Sequence, residues 1–312
     1  MSFSAFIAFP GQGSQHLSML SKGGISSLAL SSEYSDALEC CSELISYDAF
    51  KLIEEGPEDL LNKTSITQPL MILCSYLHFR KLVSELDVTP RYLAGHSLGE
   101  YSALVAANSI SIIEALKLVR RRGELMELAP RGSMSAIIGL DNDLIAELCL
   151  IASQGNDSHV QCANLNSPNQ TVISGHDDAV ARAQDLCIAE GAKRSIKLKV
   201  SIASHSKLML SASDEFKTTL ESVKFNKPNT SIIHNVSVNS ATSSKDITSL
   251  LISQLHSPVR WVETCKFIST LNLPIIECGP GKVLSGLFKA NNLSNYYSVT
   301  DEDFYEKINN YG

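Results

Sequence analysis

Tyr92-Leu-Ala-Gly95-His96-Ser97-Leu98-Gly99 sets the reading of the chain. Tyr92 to Gly95 is a short apolar run ending in glycine, which predicts a buried strand. The chain then turns sharply at Ser97 into a helix running from Leu98 towards Ala107. Gly95 to Gly99 matches G-x-S-x-G in the setting that motif requires, between strand and helix. The glycines permit a tight turn and close packing of helix on strand, and the Leu98 amide at the helix start can face an oxyanion. The pentapeptide alone also fits a serine that does no more than cap a helix. His96 is expected to point away from the serine and support the turn.

Upstream, Ala5 to Phe9 is an apolar run stopped by Pro10 and Gly11, a second buried strand feeding a glycine-rich turn. Helices are expected from Tyr34 to Ile45 and from Thr67 to Val83, with Thr67 as N-cap and Pro69 in the first turn. Ser111 and Glu114 form a capping-box signature opening a helix to about Leu128. From Met134 the order changes to strand, helix, two strands, helix, strand, ending at Ser195 to Lys199, the ferredoxin-like pattern. Alternation then resumes: helix His205 to Leu220, strand Ile232 to His234, helices Ile247 to Leu255 and Val262 to Leu271, strand Pro274 to Glu277, helix Val283 to Ala290. The fold class is therefore α/β: a hydrolase-like domain with a mostly parallel sheet (residues 1–130 and 199–312) interrupted by a small ferredoxin-like α+β subdomain (131–198).

With 312 residues, 44% of them hydrophobic, the chain can bury a sizeable core, and a formal charge of −7 argues against a nucleic-acid partner. Eight scattered cysteines without a CxxC pair, and no secretory stretch, point to reduced thiols in the cytoplasm. The longest apolar runs are far too short to span a membrane. Gly11-x-Gly13 is followed by His16 where a dinucleotide fingerprint needs glycine, and Gly281-Lys282 by Val283 where a P-loop needs a hydroxyl. A serine nucleophile needs a base, and spacing cannot choose among the eight histidines.

Seven blocks in order resemble the malonyl-coenzyme A:acyl-carrier-protein transacylases of bacterial fatty-acid synthesis. They are Phe9-Pro-Gly-Gln-Gly-Ser-Gln15, the segment from Gly95 to Leu104, Arg122-Gly123 with Met126, the stretch from Asn164 to Gly175, Ser204-His205-Ser206 with Leu208-Met209, Gln254-Leu255 before Pro258 to Trp261, and Glu277 to Leu284. The resemblance implies Ser97 as nucleophile, His205 as general base and acid, and the main-chain carbonyl of Gln254 as the group that holds the histidine. It implies the amides of Gln12 and Leu98 as oxyanion donors. Arg122 would grip the free malonyl carboxylate, with Gln12, Met126 and Asn164 along the substrate. Taken alone, an arginine in the run Arg120 to Arg122 also fits a solvated helix face. Ile202-Ala-Ser-His205 resembles the tetrapeptide that accompanies a branched extender in related polyketide acyltransferase domains; free-standing malonyl transferases also carry serine before the histidine, so malonyl is the expected acyl group. The resemblance further implies malonyl-CoA as donor, the phosphopantetheine of an acyl carrier protein as acceptor, no metal or organic cofactor, and a monomer. Two rivals share parts of the pattern: a serine hydrolase releasing the acyl group to water, and a carrier-protein binding module without catalysis.

Overall fold

In the computed structural model, which describes residues 3–155 and 157–309, nine strands follow in chain order: β1 (Phe3–Phe9), β2 (Val88–Gly95), β3 (Ser133–Ile138), β4 (Val160–Ser167), β5 (Gln170–Gly175), β6 (Arg194–Lys197), β7 (Ser231–Ile233), β8 (Ile275–Glu277) and β9 (Tyr296–Ser298). The two apolar runs that end in glycine turns lie side by side as β1 and β2, parallel, with Phe9 opposite Gly95. They sit inside a five-stranded sheet of order β7-β2-β1-β8-β9, in which every pairing is parallel. A parallel sheet needs cover on both faces, and β1 shows how one apolar run supplies it. Ala5, Ile7 and Phe9 pack into the core that includes Leu70, Leu73, Leu104 and Leu116. Phe6 and Ala8 point the other way, into a core built on Trp261, Ile233 and Phe288. The strand's period of two thus divides a continuous hydrophobic run between two cores.

The second sheet is built from β3 to β6, antiparallel, in the order β4-β5-β3-β6. With helices Asn142–Ala152 and Asp177–Ala189 between its strands, this is the ferredoxin-like arrangement expected from the element order. Both helices pack on one face of the sheet, around Ile137, Ile145, Ile173 and Val180. Its other face carries Met134, Ala136, Ala163 and Val172, joined by Leu198.

Two expectations need correction. The helix expected from Thr67 begins at Thr64 and runs to Glu85, with Pro69 inside it. Thr67 Oγ1 is no cap; it donates to the Leu61 carbonyl at 2.6 Å and the Lys63 carbonyl at 3.0 Å. The proline is tolerated because the carbonyl it leaves without a helical donor, that of Ser65, accepts from Arg120 Nη1 at 2.9 Å. The helix expected from His205 starts at Leu210 after a single 3₁₀ turn, Lys207–Met209. His205 stands outside both, in left-handed backbone at φ 59° with its N–H bonded to the Leu255 carbonyl. The capping box at Ser111 forms in one direction: Ser111 Oγ accepts from the Glu114 N–H at 3.2 Å. Among the described residues, no helix is long and apolar enough to cross a membrane.

Candidate active site

β2 ends at Gly95, and the helix Gly99–Ala106 begins four residues later, leaving Ser97 at the apex with φ 50°. That left-handed conformation is strained for a residue with a side chain, and the surroundings hold it. A Cβ on Gly95 would lie 1.9 Å from the Gly99 carbonyl carbon, and one on Gly99 would lie 2.1 Å from the Phe9 carbonyl oxygen. The two glycines let the turn close against β1. Asn235 clamps it from outside: its Oδ1 accepts from the Ser97 N–H at 2.7 Å, and its Nδ2 donates to the Gly95 carbonyl at 2.6 Å. With the Ser97 amide occupied, Gln12 and Leu98 remain at the cleft with main-chain N–H groups that take no hydrogen bond among the described residues. His96 turns to Asn166, its Nε2 lying 2.9 Å from Oδ1, and meets the Trp261 ring edge-on.

Ser97 Oγ lies 2.7 Å from His205 Nε2, and His205 Nδ1 lies 2.7 Å from the Gln254 carbonyl. A carbonyl only accepts, so Nδ1 carries the proton and Nε2 presents its lone pair to the hydroxyl. His205 is 3% exposed. Burial, followed by the positive charge of Arg122, pushes its pKa down to about 3, so the imidazole is neutral and able to accept a proton at neutral pH. No carboxylate touches it among the described residues; the orienting group is the peptide carbonyl.

Arg122, on the helix Ile112–Leu128, is only 1% exposed. That excludes the solvated-face reading of the arginine run; Arg120 and Arg121 take that role through ion pairs to Glu124. Its guanidinium is held by neutral groups: Nη1 donates to Gln68 Oε1 at 3.1 Å and Nη2 to Gln254 Oε1 at 3.2 Å, and the group lies over the Tyr101 ring. Nη2 also reaches Ser97 Oγ at 3.5 Å, whereas Nε has no partner. Burial lowers the arginine's pKa, with Tyr101 and Glu100 opposing the shift. The guanidinium is thus buried with no carboxylate in contact among the described residues, and its planar fork has the geometry that two parallel hydrogen bonds to a carboxylate require.

These groups open onto one cleft of about 710 Å³ between the two sheets. Gln12, Leu98, Met126 and Asn164 line it with Ser97, Arg122 and His205. Gln12 Nε2 donates to Thr64 Oγ1 at 3.0 Å, while the Met126 sulfur accepts from Gln68 Nε2 at 3.4 Å. The small sheet provides the opposite wall through Met134, Asn164 and the strand exit at 198–202. Every site residue singled out in the sequence thus stands at the cleft except Gln254, which backs it from behind His205. Sequence reasoning passed over Asn235, Glu100 and Gln68. Gln68 carried a usable signal, an amide standing directly before the apolar run 69–74 of its helix; Asn235 sits on a loop whose approach to Ser97 no local pattern encodes. Among the described residues, no three His, Cys, Asp or Glu side chains form a group that could hold a metal ion.

Comparison with known proteins places this geometry in a family. The acyl transferase domain model matches residues 5–286. The chain is 43% identical over 291 residues to the malonyl CoA-acyl carrier protein transacylase of Haemophilus influenzae, covering 91% of this chain and 90% of that one. An acyl carrier protein S-malonyltransferase from Vibrio cholerae O1 biovar eltor superposes with a TM-score of 0.90 at 42% identity, over 98% of this chain and all of that one. A malonyl-transacylase solved in complex with its type II polyketide acyl-carrier protein superposes at 0.88 with 41% identity over 96% of both chains. A serine and an imidazole in contact beside a buried arginine fork, carried on a fold shared over nearly the whole length, place the chain in the malonyl CoA-acyl carrier protein transacylase family.

Proposed function

We propose that the chain moves a malonyl group from malonyl-CoA to the phosphopantetheine thiol of an acyl carrier protein, through an ester on Ser97. The observation that carries this reading is the contact of Ser97 Oγ with His205 Nε2 at 2.7 Å, with a dry Arg122 fork 3.5 Å from the same oxygen. Arg122 takes the free carboxylate and so directs the thioester carbonyl of the same three-carbon unit towards Ser97. Oγ attacks that carbonyl as its proton passes to His205 Nε2. The oxyanion lies on the N–H groups of Gln12 and Leu98. The carbonyl re-forms as the C–S bond breaks, and His205 returns the proton to the coenzyme A sulfur. The carrier-protein thiol then enters, gives its proton to His205 and attacks the ester; Ser97 leaves as the protonated alcohol. The Gln254 carbonyl holds the imidazole tautomer throughout. The residues named need no metal or organic cofactor for any step.

Carrier proteins of this pathway are acidic, so docking requires a local basic face on a chain of net charge −7. Lys193, Arg194, Lys197 and Lys199 supply one along β6 and its exit, with Lys199 at the cleft itself. Lys197 is shared with Asp177, and Lys282, which with Lys289 extends the candidate set, pairs with Asp301. Reversing the charge of the β6 group should raise the carrier-protein KM and flatten its salt dependence; unchanged values would remove this face from the docking site.

Intact-protein mass after mixing with malonyl-CoA tests the central reading. One malonyl group is expected on the enzyme, located at Ser97, stable in water over the assay and discharged by the carrier-protein thiol. Rapid discharge to water would make the chain a hydrolase, and absence of the adduct would remove the covalent mechanism.

A further inference from the structure

Glu100 lies in the first turn of the helix that follows the nucleophile and is 1% exposed. Its carboxylate is surrounded by donors. Oε1 lies 2.7 Å from His234 Nδ1, and Oε2 accepts from the Asn235 N–H at 3.0 Å and from Gln254 Nε2 at 2.8 Å. Burying an ionised carboxylate is costly unless donors replace its water, and here they do. Glu100 touches neither Ser97 Oγ nor the open cleft.

A side-chain amide can rotate by half a turn with little change in shape, exchanging oxygen for nitrogen. For Gln254 that choice decides what Arg122 meets. A carboxylate only accepts, so the Gln254 nitrogen must face Glu100. Its oxygen is then left for Arg122 Nη2 at 3.2 Å, while the same nitrogen also donates to the Ser97 carbonyl at 3.1 Å. With the amide reversed, an N–H group would oppose a guanidinium that has only donors to offer. Gln68 Oε1 would then be the sole oxygen holding the fork from a protein amide.

We infer that Glu100 is a positioning residue for acyl selectivity: it fixes the polarity of the Gln254 amide, and through that amide the orientation of the Arg122 fork that receives the acyl carboxylate. Asn235 extends the same carboxylate to the nucleophile turn, because its main chain is held by Glu100 and its side chain holds Gly95 and Ser97. A misplaced turn slows all acyl groups alike, whereas a misplaced fork penalises only an acyl group that carries a carboxylate. The inference rests on the malonyl-transfer reading, and its signature is a ratio.

The test is rapid-quench acylation of the full-length chain by malonyl-CoA and by acetyl-CoA, expressed per active site counted from the intact-mass adduct. In the unaltered enzyme, a malonyl ester on Ser97 tests the transfer reading itself. In Glu100→Gln, the acetyl rate should fall about tenfold and the malonyl rate about 100-fold, so that the malonyl to acetyl ratio drops about tenfold. A purely structural role would lower the melting temperature and the number of active sites but leave the per-site ratio unchanged. An unchanged ratio overturns the inference. Should Glu100→Gln not fold, Gln254→Ala decides, since it removes the connecting amide but keeps the main-chain carbonyl that holds His205. There a fall in the ratio of about tenfold supports the link, and a ratio within about twofold of the unaltered enzyme breaks it.

Discussion

The two sheets that face each other across the cleft divide the work unequally. At the ends of the parallel sheet, polar groups converge on one point: Ser97 follows β2, Asn235 follows β7, and Gln12 follows β1. The antiparallel sheet gives the cleft an apolar wall through Met134 and Leu198, backed by Ala163 and Val172, and contributes Asn164 at its edge. The difference follows from topology. Parallel strands all end at the same edge, so their exit loops cluster there with main-chain groups left over for chemistry. An antiparallel sheet spreads its connections over both ends of its strands and spends its main-chain groups on its own ladder. The large region is therefore expected to govern rate, and the small one to shape the space into which the acyl chain and thiol fit.

Substitutions in the large region test that division most severely. Ser97→Ala removes the oxygen that forms the ester and should abolish the malonyl adduct by mass spectrometry; any adduct surviving at another residue would break the assignment. His205→Ala should slow acylation by about 10² to 10⁴, read by rapid quench. Arg122→Ala should come next. It removes a charged contact of about 1.5–3 kcal/mol from malonyl transfer while sparing acetyl, so comparison of kcat/KM for the two thioesters sharpens the point. Equal losses for both would separate Arg122 from carboxylate recognition.

What could be read in advance follows the same division. β1 and β2 were legible because a buried parallel strand is a short apolar run closed by glycine. The βαββαβ order was legible because each of its elements carries its own periodicity. Strand β9 went unpredicted: three residues, Tyr296 to Ser298, are too few for a period to show. The start of the helix Thr64–Glu85 was misplaced because a long-range contact, Arg120 to the Ser65 carbonyl, compensates the proline that normally marks a first turn. At the site, Ser97 announces itself through its glycines, but His205 and Arg122 do not. Their residue types were visible and their choice from among eight histidines and a run of arginines came from family resemblance. The polar shell of Asn235 and Glu100 was invisible for a physical reason: it joins residues more than a hundred positions apart.

Burial of neutral histidines gives a pH dependence of stability that belongs mainly to the large region. His205 and His78 are both pushed down to about 3, chiefly by burial, from an ordinary value of 6.5. Between those values the unfolded chain binds protons that the native chain refuses, so native stability rises with pH and is lost progressively as pH falls from 6.5 towards 3. The slope is about 1.4 kcal/mol per pH unit for each such histidine over the fully developed part of that window. Urea unfolding of His205→Ala should show a correspondingly shallower dependence between about pH 4 and 6. Parallel curves for the variant and the unaltered chain would mean that His205 is protonated in the native state.

The smallest effect is expected where the two regions are joined. Gln161, on β4, reaches from the small sheet to the large region: its Nε2 donates to the main-chain carbonyls of His205 at 3.0 Å and His256 at 3.2 Å, and its Oε1 lies 3.0 Å from His159 Nε2. Main-chain bonds run alongside, from the Leu165 N–H to the Val259 carbonyl and from the Val259 N–H to the Ala163 carbonyl. Gln161 thus ties the segment bearing the imidazole to the small sheet directly, while the main-chain pair holds the neighbouring segment around Val259, to which His205 is bonded through the Leu255 carbonyl. Gln161→Ala removes those side-chain bonds, each worth about 1 kcal/mol as a neutral hydrogen bond, but the Val259 pair still holds the adjoining segment, and His205 stays bonded to that segment through the Leu255 and Gln254 carbonyls. Acylation should therefore slow by a few-fold at most, equally for malonyl and acetyl, because neither Arg122 nor the Gln254 amide is disturbed. A loss comparable to that of His205→Ala would show that the small sheet sets the position of the base as well as the shape of the cleft, and the division of work between the two sheets would fail at that point.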